Sequence, residues 1–370
     1  MIVHQMGSIL AFGDAVTNQI LEIDRRLRAW GLATRIFGAS VDALLGGQAQ
    51  LDVGYEPYIE NDDDLLIYHY SAYCDNHRLY LRSRNRRLLV YHNVTPAAFF
   101  RPFDATYEGL CARGRALLPR LRECDLALGV SEYNRRELVD AGFAAERTGV
   151  LPIFLSLADL EAASRDERLY RQLKAGGTAN VLFVGRVAPN KAFEDLLTLF
   201  AAYSRLNCNS RLILAGARFL PRYDALLDRL VGRLGLSDRV VWTGRVSLAK
   251  LRTYYESANL FLCASKHEGF CVPLLEAMHF DLPVLARAMA AVPDTLGQAG
   301  VQYHQLDHAV LAEVMDLLIG DQALRARVIA GQRHRLQELA PGCVEVKLVE
   351  ILSSLGVALE SGEARCASTR

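Results

Sequence analysis

Lysine is scarce in this chain of 370 residues, present only at positions 174, 191, 250, 266 and 347, and arginine carries nearly all the basic charge. The 42 basic residues are balanced by 42 acidic ones, so no overall charge draws the chain to nucleic acid, and none is expected as a partner. Eight cysteines are scattered without a C-x2-C pair, which fits reduced thiols in a cytoplasm better than a disulfide framework or a zinc site. No apolar run reaches membrane-spanning length and no signal peptide is visible, so a soluble, cytoplasmic chain is expected. Two phosphate-binding fingerprints are also missing, G-x-G-x-x-G and G-x4-G-K-[ST]. Their absence argues against NAD binding and against a P-loop.

What is present is an alternation of strand and helix signals, with 51% apolar and 23% charged residues. That pattern predicts α/β layers, and the length suits two domains. The expected division is 1–160, 161–340, and a C-terminal helix with a tail over 341–370, with a linker near 155–177. In the first part a strand at 2–6 is followed by a glycine-punctuated loop at 7–13 and a helix over 14–30. Gly13 is either a plain turn or a point where a ligand approaches the backbone. Asp62, Asp63 and Asp64 precede the strand at 65–70 and are expected to be a solvated loop rather than a metal site. His92 stands at the carboxyl end of the strand at 88–91, where α/β sheets bind ligands. It either packs in the core or faces a ligand, and His69 at the preceding strand end is a second candidate. Between residues 78 and 122 lie ten Arg against Asp104 and Glu108. Such a run is either a solvated face or an attraction for an anionic membrane surface or a pyrophosphate-linked acceptor.

The second part holds the more specific signals. A strand at 180–184 runs into Gly185-Arg186-Val187-Ala188-Pro189-Asn190-Lys191, which places two cations at a strand end as a pair suited to phosphate oxygens. A later apolar run at 260–263 leads into Ser265-Lys266-His267-Glu268-Gly269-Phe270-Cys271-Val272-Pro273-Leu274-Leu275-Glu276-Ala277-Met278. Gly269 is expected to supply an unusual backbone conformation, and Pro273 suits the first turn of a helix. The predicted strand, tight loop and helix point N–H groups at an anion. Glu268 and Glu276 flank them as acceptor-only groups suited to hydroxyl pairs. Residues 291–294 are expected to be a turn, and 361–370 a frayed tail.

Glu268 and Glu276, with seven residues between them, within His-Glu-Gly-Phe and Leu-Glu-Ala-Met, resemble the E-x7-E motif of the retaining glycosyltransferases of family 4. Arg186 and Lys191 are similar to that family's Gly-Arg-x4-Lys segment. The resemblance implies the GT-B fold, two Rossmann-like domains facing each other across a cleft, and a nucleotide sugar, GDP- or UDP-linked, as co-substrate with no other cofactor and no metal. It implies that Gly185, Arg186 and Lys191 bind the donor diphosphate. Gly269, Phe270, Cys271 and Val272 would meet the transferred sugar, with Glu268 on its hydroxyls and Glu276 on the ribose. His92 would face the sugar, and Gly13 would close over acceptor and phosphate. The implied reaction is metal-independent, retaining transfer of a hexose, leaning to GDP-mannose, onto a glycan or lipid-linked acceptor in bacterial surface polysaccharide synthesis, at the inner face of the membrane. A sugar-nucleotide epimerase, a phosphorylase or a non-catalytic sugar-nucleotide-binding subunit are the alternatives. One departure from the family is Asp281, where relatives carry Gly before Leu-Pro-Val.

Overall fold

Strand Leu65–Tyr70 is buried at all six positions, as a strand covered on both faces must be, and such strands belong to parallel sheets. The structure, a computed structural model, describes residues 1–155 and 157–359. Within them the chain divides into two compact units, each built on one parallel sheet.

The first unit takes in residues 1–97, 106–155 and 339–359. Its strands are β1 (Ile2–Leu10), β2 (Ala33–Val41), β3 (Gln50–Leu51), β4 (Leu65–Tyr70), β5 (Arg86–Tyr91), β6 (Leu126–Gly129) and β7 (Thr148–Val150). Their order is β3-β2-β1-β4-β5-β6-β7, so the winding direction reverses between β1 and β4. Strand β1 is longer than the sequence suggests, because the glycines at its end serve packing rather than a loop. Gly7 pairs with Gly38 in register, and a Cβ on either would lie within 2.9 Å of the Leu10 side chain. The helix Pro341–Ser354 belongs to this unit, where Glu345 Oε2 lies 3.4 Å from Arg26 Nε. The tail at 361–370 lies outside the described residues.

Asp64 corrects the expectation of a solvated acidic loop. Its neighbours Asp62 and Asp63 are exposed, but Asp64 is buried, accepting from Ile2 N at 2.6 Å and lying 3.2 Å from His4 Nε2. No cluster of three or more His, Cys, Asp or Glu placed to hold a metal occurs among the described residues. The arginine run is largely spent on local partners. Arg82 pairs with Glu56, Arg84 with Glu60 and Arg115 with Glu137, at 2.7, 3.1 and 2.8 Å, while Arg86 donates to the carbonyl of Leu355. No helix among the described residues is long and apolar enough to cross a membrane.

The second unit contains residues 157–338 and also Ala98–Ala105, so the partition is not the single cut at residue 160. Two aromatic residues explain the detached piece: Phe103 packs edge-on against Tyr223 at 4.9 Å and Phe99 lies 6.1 Å from His267. The stretch expected as a linker contains the short helices Ala158–Ala162 and Glu167–Lys174. The strands are β8 (Ala179–Val184), β9 (Ser210–Ala215), β10 (Val240–Gly244), β11 (Leu260–Cys263), β12 (Val284–Arg287) and β13 (Val301–Tyr303), in the order β10-β9-β8-β11-β12-β13. Here the winding reverses between β8 and β11. Residues 291–294 are not a plain turn, since Val292–Leu296 is a short helix with Pro293 in its first turn, where a missing N–H costs nothing.

Candidate functional site

The winding reverses between β8 and β11, and the carboxyl ends of strands at such a reversal are the usual ligand position of wound α/β sheets. The loop after β8 starts at Gly185, with φ 156°, held by its N–H to Ala215 O at 2.9 Å. Opposite it, Gly216 is obligatory, because a Cβ there would lie 1.9 Å from Gly185 O. Asn190 joins this loop to the one after β11. Its carbonyl accepts from the N–H groups of Lys266 and His267 at 2.8 and 3.2 Å, and its Nδ2 donates to His267 O at 3.0 Å. These bonds bring 185–191 and 265–268 together at one end of the sheet.

Lys191 and Glu268, assigned from sequence to separate tasks, form an ion pair in which Nζ donates to both carboxylate oxygens. Burial alone would lower the ammonium pKa, but the carboxylate outweighs it and the net shift is upward. The turn into the helix Val272–His279 also differs from expectation. Its left-handed residue is Cys271, with φ 71°, and not Gly269. Phe270 is anchored there by its carbonyl, which accepts from Thr295 Oγ1. Val272 and Pro273 form the first turn; Pro273 has no N–H and Leu274 N donates to Cys271 O at 3.0 Å, so it is the Val272 N–H that suits an anion there. Four residues on, Glu276 Oε2 accepts from Tyr255 OH at 2.6 Å, while Oε1 has no partner among the described residues. Burial raises the Glu276 pKa, and the bond from Tyr255 opposes that rise.

Further side chains brace the loops. Lys266 Nζ lies 3.1 Å from both Glu194 and Asp195, Arg287 pairs with Asp195 at 2.8 Å, and Tyr223 donates to Glu194 at 2.5 Å. Arg186 is exposed, and its guanidinium carbon sits 4.6 Å from the Phe219 ring centre. Sequence reasoning missed Asn190, Tyr255 and Phe219. Asn190 stands inside the segment already singled out, but the other two lie 21 and more residues from their partners and carry no local signal.

Gly13 and His92 lie in the first unit. Gly13, at φ 79°, makes the turn before Asp14, whose side chain caps the helix Ala15–Ala29 by accepting from Val16 N and Thr17 N. His92 follows β5 and is buried, 8% exposed. Its Nε2 lies 3.0 Å from His69 Nδ1, and His69 Nε2 lies 3.1 Å from Gln5 Oε1. Gln5 Nε2 donates to Ile20 O at 3.0 Å, which fixes the orientation of the amide. An oxygen must therefore accept from His69 Nε2, leaving His69 Nδ1 to accept from His92 Nε2. His92 Nδ1 remains as an acceptor without a partner among the described residues. Burial lowers the His92 pKa to about 3 and holds His69 well below its usual value, so both rings are neutral near neutral pH.

Two parallel α/β sheets of this kind constitute the GT-B fold, and glycosyltransferases are among the solved structures of like shape. One of them, HepE of Anabaena in complex with UDP and glucose, superposes with a TM-score of 0.75 over 96% of this chain and 100% of that one, at 19% identity. Residues 165–335, all within the second unit, match the family model for glycosyl transferases group 1. The chain is also similar to the O-antigen chain mannosyltransferase B of Escherichia coli, 27% identical over 263 residues, which cover 69% of this chain and 66% of that protein. A GDP-mannose:cellobiosyl-diphosphopolyprenol alpha-mannosyltransferase of Xanthomonas oryzae pv. oryzae is 33% identical over 107 residues, 29% of this chain and 28% of that one. These matches span less than two thirds of either relative's own length.

Proposed function

We propose that the chain is a retaining, metal-independent hexosyltransferase that binds a nucleoside diphosphate sugar at the carboxyl ends of β8 and β11. It passes the sugar to a glycan or lipid-linked acceptor in surface polysaccharide synthesis. The observation that supports this reading is the stitching by Asn190, which joins the loop that carries Arg186 and Lys191 to the loop that carries Glu268 and leads into the helix at Val272. An anion held there meets a guanidinium edge and backbone N–H groups, and Glu276 supplies an acceptor for ribose hydroxyls. In this reading the leaving phosphate takes the acceptor proton on the face where the new bond forms. Stabilisation of that phosphate and positioning then do most of the catalysis.

The two mannosyltransferase relatives support a GDP-mannose donor, and the HepE complex supports UDP-glucose as the rival. Incubation with each donor and a polyprenyl-diphosphate glycan, read by NMR of the product anomer, tests the proposal. Transfer with the donor's anomeric configuration kept is expected, whereas an inverted product would refute the mechanism. Loss of the donor-site reading follows if neither GDP nor UDP binds. The arginine run at 78–122 is proposed to add contact with acidic lipid despite its internal pairing; absence from floated acidic liposomes at low salt would end that part.

A further inference from the structure

Most cations around the carboxyl ends of the second sheet are already spent. Lys191 is held by Glu268, Arg218 by Asp224 and Asp228, Lys266 by Glu194 and Asp195, and Arg287 by Asp195. Arg186 has no acidic partner among the described residues, and its contact is the face of Phe219. A ring under the flat face of a guanidinium holds its position yet consumes none of the N–H groups on its edge. Those edge groups are the ones that bind phosphate oxygens in pairs.

The backbone makes this stacking a built feature. Gly185 N–H donates to Ala215 O and Val187 N–H to Ala217 O, both at 2.9 Å, and Val187 bridges Arg218 in parallel register. The missing Cβ at Gly216 lets the two segments run this close. The register therefore carries Phe219, just beyond Arg218, to the side chain of Arg186.

We propose that Phe219 is a positioning residue for the donor diphosphate, holding the Arg186 guanidinium by its face so that all of its N–H donors stay available to phosphate oxygens. The role rests on the donor-site reading above. Preorganising a long side chain in this way removes part of the ordering cost of binding.

Calorimetry with GDP, UDP, guanosine and uridine tests it on the full chain. Phe219→Leu is expected to weaken the diphosphates by about fivefold, the range of a partly exposed cation–π contact, with nucleoside affinity unchanged. Phe219→Tyr is expected to restore binding, and Phe219→Leu to add nothing in an Arg186→Ala background. Equal loss for nucleoside and diphosphate, or full additivity of the two substitutions, would overturn the role. Should Phe219→Leu not fold, Arg186→Lys carries the test, because it keeps the charge but not the plate: weakened diphosphate binding is expected, and wild-type binding overturns the proposal. If the wild type binds no diphosphate, the donor-site reading itself has failed; if it binds and Phe219→Leu changes nothing, only the role of Phe219 has.

Discussion

Lys191 Nζ donates to both carboxylate oxygens of Glu268, and the two residues, 77 apart in the chain, close the loops after β8 and β11 upon each other. Glu268 is 7% exposed and the Lys191 side chain 21%, so the pair supports the fold. On the proposed function, a bound diphosphate would share or replace this contact.

Lys191→Met should therefore destabilise the protein, by roughly 2 to 4 kcal/mol, because it strands a buried carboxylate. Adding Glu268→Gln should recover part of the loss, and urea unfolding of the single and double variants measures both. The pH dependence follows from the raised Lys191 pKa. Its contribution is complete below the unfolded-state value near ~10.4 and is lost as pH rises through the higher folded-state value. Unfolding midpoints that respond to alkali identically with and without Lys191 would contradict this.

Arg186→Ala is expected to lower transfer more than tenfold with stability unchanged, since the loss of a charged hydrogen-bonding partner costs about 1.5 to 3 kcal/mol and the side chain is exposed. Steady-state kinetics beside a melting curve separate the two effects.

The proposed role of Glu276, accepting from a pair of ribose hydroxyls, calls for its ionised form, and burial raises its pKa. Nucleotide affinity should fall as the pH drops through that raised value. Tyr255→Phe removes the hydrogen bond that favours the ionised form, so the inflection should move to higher pH. Titrating UDP or GDP affinity between pH 5 and 8 in both proteins decides it, and an inflection that stays put excludes the role of Tyr255.

The chain Gln5–His69–His92 predicts a proton on Nε2 of His92, visible in a two-bond nitrogen–proton correlation spectrum. With its pKa held at about 3, His92 should contribute no limb to the rate profile between pH 5.5 and 8. Because the folded-state values of His69 and His92 are lowered, acidification through the unfolded-state value near ~6.5 favours the unfolded chain. His69→Leu should make stability less dependent on pH in that range, and an equal slope would count against the assignment.

Asp281 occupies a left-handed position, φ 52°, at the end of the helix Val272–His279, with Asp281 N donating to Met278 O and Leu282 N to Ala277 O. That is the backbone for which glycine is suited, and Asp281 holds it while its carboxylate pairs with Arg333. Asp281→Gly should be more stable than Asp281→Ala by about 1 kcal/mol, measured by thermal unfolding. Asp281 thus keeps the helix end intact.

Strand and helix periodicity made the alternation of both units legible. The glycines misled in two places. Gly7 looked like loop because it breaks an apolar run, but the space it leaves is filled by Leu10. Gly269 looked like the left-handed residue because glycine tolerates that conformation most easily, yet Cys271 adopts it. Asp64 was misread because a short carboxylate triplet gives no hint that one member turns inward to Ile2 N and His4.

Local chemistry along the chain determined the parallel α/β class, the cationic loop at 185–191 and the acidic, amide-rich turn at 268–276, since helix periods, turns and anion-seeking N–H groups depend on near neighbours. Only tertiary structure decided that Lys191 answers Glu268, that Tyr255 restrains Glu276, that Gln5 orients His92 through His69, and that Phe219 lies under Arg186. Those contacts join residues far apart in the chain, and they form only where packing has set two strand ends side by side.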